Sequence, residues 1–149
     1  MSPCLWPTAP PKDGERVIAF EPTSRERRWI AKLHGQYVRY ALQYWQGKLP
    51  PVPIRISWRM RRRIAALEWH EQGFEPIEIA VSGTDILRFG WKAVNEALLH
   101  EMIHVFQCRA GMAPNHGAAF RAEATRLHIW PHRSERLHPL KRATGTRPA

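Results

Sequence analysis

The stretch from Trp91 to about Arg109 contains neither proline nor glycine, and Val94, Ala97, Leu98, Ile103, Val105 and Phe106 give it apolar residues along its length. A run of that length without a breaker is a helix, and the spread of its apolar positions makes it a mostly buried one. Gly111 and Pro114 close it. The rest of the chain has to be read as the cover for this helix.

Upstream, Thr23 and Ser24 are both candidate N-caps for a helix in which Ile30, Leu33, Tyr37, Tyr40, Ala41 and Tyr44 recur at steps of three and four, ending near Gly47. Its other face carries Arg25, Arg28, Lys32 and Arg39. Pro50, Pro51 and Pro53 then break the chain, and Ile54, Ile56 and Trp58 alternate with Arg55, Ser57 and Arg59 as a half-buried strand requires. Arg61, Arg62 and Arg63 lead into a second strand from Ile64 to Trp69, Gly73 marks a reversal, and Glu75 to Ser82 form a third strand. Short strands in sequence order predict an antiparallel meander. A last helix is predicted from Asn115 or His116 to Ile129, before Pro131. The expected fold class is α+β: an amino-terminal helix, a three-stranded antiparallel meander, the buried helix and a returning helix.

With 149 residues, 44% of them hydrophobic, the chain is long enough for one domain and its core. We place that domain at residues 23–130, between a Pro-rich leader at 1–22 and a basic tail at 131–149. No apolar run approaches the ~20 residues that span a bilayer, and the amino terminus lacks the pattern of a secretory signal. The expectation is a monomer in the cytoplasm, or on the nucleoid if it binds DNA. Cys4 and Cys108 are the cysteines, which excludes a four-cysteine zinc ribbon and a disulfide framework. The formal net charge of +10 favours a polyanionic partner, with DNA the leading candidate, although a charged surface also serves solubility alone.

The buried helix carries the chemistry. His100 and His104 are four residues apart, so both imidazoles leave the same helical face and can share one ion. Zinc accepts neutral imidazole and tolerates an open position for water. Glu101, beside the first histidine, can reach such a water without being a ligand and act as its general base, the logic of HExxH hydrolases. Two histidines hold zinc poorly, and two residues downstream could complete the set: His116, just after the turn at Gly111 to Pro114, or Glu123 on the last helix.

HEMIH at 100–104 followed by His116-Gly117-Ala118-Ala119-Phe120 resembles the SprT-like zinc metalloprotease domain, over roughly residues 24–130. The resemblance implies a zincin-like minimal protease domain with His100, His104 and His116 as Zn2+ ligands and Glu101 as base. It also implies that Gly117 lets the last helix approach the site and that Phe120 packs beneath it. Members of the DNA-repair type cut proteins crosslinked to DNA, so the resemblance implies polypeptide substrates and DNA as a partner. This chain lacks the cysteine-rich ribbon that can follow the domain, so DNA contact is expected from its own basic residues, with Arg55, Arg59, Arg61, Arg62 and Arg63 beside Trp58 as the best candidates. The alternative is a DNA-binding module whose zinc is structural, closed by a fourth ligand such as Cys108 or Glu123, without turnover.

Overall fold

The structure, a computed structural model, describes residues 21–129. The expected leader, up to residue 20, and the basic tail lie outside the described residues.

Helix α1 (Ser24–Trp45) starts at Thr23, whose hydroxyl accepts the Glu26 amide at 3.1 Å while the Glu26 carboxylate accepts the Thr23 amide at 3.4 Å. This reciprocal capping box resolves the choice between Thr23 and Ser24. Leu33, Tyr37, Ala41 and Trp45, one turn apart, form its buried face. The helix ends where Gln46 and Gly47 turn left-handed, at φ 57° and 74°. The buried Tyr37 hydroxyl donates to the Pro50 carbonyl, fastening the proline segment to the helix.

Strands β1 (Ile54–Ser57), β2 (Ala65–His70) and β3 (Glu75–Ser82) form a sheet in the order β1-β3-β2. β2 and β3 are an antiparallel hairpin around Gly73, as expected, but β1 pairs with β3 in parallel. The expected antiparallel meander is therefore corrected to a mixed sheet with β3 in the centre. Burial gives one reason: Ile79, Ala80, Val81 and Ser82 are all buried, so this half of β3 is covered on both faces and flanked on both edges. Charge gives another. Glu68 and Glu78 stand directly opposite across the hairpin, an unfavourable pair, and β1 on the far edge brings the Arg55 guanidinium within 2.8 Å of Glu78 and 3.9 Å of Glu68.

The sequence reading lacked helix α2 (Gly83–Phe89), capped by the Ser82 hydroxyl, which accepts the Asp85 amide at 3.1 Å. Trp58 is not part of β1. It lies just beyond the strand with its ring over Gly83, where a Cβ would come within 2.8 Å of the indole. Helix α3 (Trp91–Arg109) packs on β2 and β3, α1 packs on β1 and α3, and helix α4 (Ala118–Arg126) packs on α3. Every residue of α3 from Ala97 to Val105 is buried, which is why its pattern has little one-sidedness. α4 starts later and ends earlier than expected, so His116 sits in the loop that precedes it.

Candidate metal centre

The middle of α3 places His100, Glu101 and His104 in the core, with 0%, 3% and 7% of their surface exposed. The loop at 110–117 folds back over this face and brings His116 to it. Its Nε2 lies 3.1 Å from His100 Nε2 and 3.3 Å from His104 Nε2, and the ligand atoms of the three residues all fall within 4.8 Å of one another. An ion with ~2.0–2.1 Å bonds to nitrogen in tetrahedral geometry has ligand atoms roughly 3.3–3.4 Å apart, so the histidines are spaced to hold such an ion. Among the described residues, neither Glu123 nor Cys108 joins them.

Glu123 is otherwise engaged. Its carboxylate accepts the Trp45 indole N–H at 3.1 Å and pairs with Arg126 at 2.8 Å, joining α4 to α1. Phe120, fully buried, is the floor of the site, with its ring centroid 4.7 Å from that of His100 and 4.9 Å from those of His104 and His116. This is the packing expected for it. Gly117 has a different reason from the one expected. It donates its amide to Asn115 Oδ1 at 2.9 Å, and a Cβ there would stand 3.0 Å from that same oxygen. A Cβ at Gly117 would press on the Asn115 carboxamide, and no atom of α3 is among the contacts.

Burial dominates the electrostatics. It pushes the His100 pKa down to about 2, with His104, His116 and Arg63 adding to the effect. It takes His104 to about 4, where a hydrogen bond to Gln107 pulls the other way and His116 and Arg63 lower it further. Both are therefore neutral at pH 7, the state that binds a metal. Burial raises Glu101 to about 8, partly offset by the Leu67 amide and the charge of Arg63. The Leu67 N–H donates to Glu101 Oε2 at 3.0 Å. Since β2 is at the edge of the sheet, that bond ties the carboxylate to the strand's outer backbone.

Two features escaped the sequence reading. Gln107 accepts from His104 Nδ1 at 2.8 Å; its place one turn beyond the histidine was the available signal. The second is the position of Arg63, grouped in the sequence with Arg61 and Arg62. All three are exposed in the segment between β1 and β2, as is Arg59, but Arg63 is the one whose charge bears on both His100 and Glu101. Arg55 is committed to Glu78 and Glu68. Trp58, 43% exposed, packs at 5.9 Å from Trp29 beneath the Arg25 guanidinium.

Together the fold and site define an α+β domain in which two histidines on a buried helix and a third on the return loop are positioned to hold a metal ion. The SprT-like family model matches residues 33–138, more than half of the chain, and the chain belongs to the SprT-like family. No match was found among curated proteins or solved structures. Family membership points to a metalloprotease-like domain. No helix among the described residues is long and apolar enough to cross a membrane.

Proposed function

We propose that the chain is a zinc-dependent endopeptidase in which His100, His104 and His116 hold the ion and Glu101 is the general base. The observation that carries this reading is the convergence of three imidazoles, two of them kept neutral by burial, beside a buried carboxyl group. Zinc, when bound, supplies the positive charge that acidifies a coordinated water and polarises the scissile carbonyl. Burial raises Glu101 to about 8 in the metal-free fold, and the positive charge of a bound ion would favour its ionised form. With Oε2 held by the Leu67 amide, Oε1 is left to accept the proton of the attacking water and pass it to the leaving amine. The backbone of the edge strand β2 runs beside that carboxylate, and an edge strand can take up an extended polypeptide.

The reading with a structural zinc needs a fourth protein ligand. Against its two candidates stand the bonds of Glu123 to Trp45 and Arg126 and the position of Cys108 outside the group of three histidines. The substrates we propose are proteins bound or crosslinked to DNA. The supporting features are the net charge of +10 and the exposed arginines between β1 and β2, Arg59, Arg61 and Arg62.

The test is cleavage of an unfolded model protein by zinc-loaded and chelator-stripped enzyme, each with and without single-stranded DNA. Zinc-dependent cleavage supports the peptidase, and its stimulation by DNA supports the substrate class. Equal results in all four reactions contradict the proposal.

A further inference from the structure

Gln107 is fully buried on α3, and its side-chain amide bridges the helix to the loop that carries His116. Its Nε2 donates to the Asn115 carbonyl at 3.1 Å, while its Oε1 accepts the Asn115 backbone amide at 3.3 Å and faces His104 Nδ1 at 2.8 Å. Turning the amide over would set donor against donor and acceptor against acceptor at Asn115. The backbone of Asn115 thus selects one orientation of the Gln107 side chain. In that orientation the atom facing His104 Nδ1 is an acceptor, so Nδ1 carries the proton. The lone pair of His104 is then on Nε2, the atom turned toward His116.

We propose that Gln107 is a positioning residue that sets the tautomer of His104 and, through the same amide, the placement of the His116 loop. The second effect follows from connectivity. Asn115 precedes His116 directly, and its own side chain accepts the Gly117 amide at 2.9 Å, so His116 is bracketed by two anchored neighbours. The first effect belongs to His104 rather than to His100, whose buried Nδ1 has no hydrogen-bond partner and whose Nε2 faces His116. One buried amide therefore brings the helix and the loop into register before any ion binds. The inference rests on His104 and His116 being metal ligands.

The experiment reads the tautomer of His104 by long-range proton–nitrogen correlation in zinc-free, 15N-labelled protein, together with zinc affinity by chelator competition. The wild type is expected to show the Nδ1–H form. Gln107→Met, close in length but without the amide, is expected to lose that preference and to bind zinc about 10- to 100-fold more weakly, leaving the His100 tautomer unchanged. Gln107→Glu keeps an acceptor for His104 and is expected to retain the Nδ1–H form. An Nε2–H form in the wild type overturns the proposal, as does Gln107→Met with an unaltered tautomer and unaltered zinc affinity. If Gln107→Met does not fold, the wild-type and Gln107→Glu spectra decide. If the wild type takes up no zinc, the metal reading fails, while the tautomer still tests the role of Gln107.

Discussion

The carboxylate of Glu101 accepts the backbone amide of Leu67 at 3.0 Å, joining the centre of α3 to the edge of the sheet. This bond, the burial of the carboxyl and the charge of Arg63 act together on one group, and burial outweighs the other two.

A pH-dependent stability follows for the zinc-free protein. Glu101 ionises near 4.5 without the fold and near 8 within it. Between those values the folded chain keeps a proton that the unfolded chain releases, so stability falls as pH rises through this window and levels off above it. Glu101→Gln removes the effect. Its melting temperature relative to wild type should climb between pH 4.5 and 8, as measured by thermal denaturation in chelator. The stability lost below pH 6.5, as His100 and His104 resist protonation down to about 2 and 4, is common to both proteins. A pH-independent difference between the two would contradict the burial of this carboxyl.

The two candidates for the third ligand separate cleanly. His116→Ala should abolish stoichiometric zinc binding at micromolar metal with little loss of apo stability. Glu123→Ala should leave zinc binding unchanged but destabilise the fold by about 1–3 kcal/mol, because the Trp45 indole N–H loses its acceptor. Metal analysis after dialysis, paired with urea denaturation, reads both. The reverse pattern would return Glu123 to the site.

The arginines between β1 and β2 should divide by role. Arg63 lowers the pKa of His100 and His104, so Arg63→Ala lets protons compete better for those rings and should move the midpoint of zinc release to higher pH. Combined Arg61→Ala and Arg62→Ala should leave that midpoint in place and weaken DNA binding, with a shallower salt dependence. Arg55→Ala should change stability by at most about 1 kcal/mol, since its ion pairs are half exposed. A salt titration of DNA binding and a pH titration of zinc content separate these outcomes.

What was legible in the sequence divides along physical lines. α1 and α3 were readable because a candidate N-cap, a repeated apolar step and an unbroken run are local signals. The grouping of His100 with His104 was readable because i, i+4 spacing puts two side chains on one face of a helix. The strand order was not, since alternation marks which face of a strand is buried but not which strand lies beside it; the Arg55, Glu78 and Glu68 row that favours β3 in the centre joins residues distant in the chain. α2 was missed because seven residues beginning with Gly83 carry too little periodicity. The role of Gln107 was hidden because it depends on Asn115 folding back across the turn. The bond between Glu123 and the Trp45 indole N–H was likewise out of reach, because it joins residues distant in the chain.

The central claim concerns Glu101, and the most direct measurement compares wild type with Glu101→Gln, both zinc-loaded, in cleavage of an unfolded protein. The account predicts equal zinc content and a loss of cleavage in the variant of about 100-fold or more, the scale of general-base catalysis. Cleavage by the variant at the wild-type rate, with zinc still bound, would contradict it.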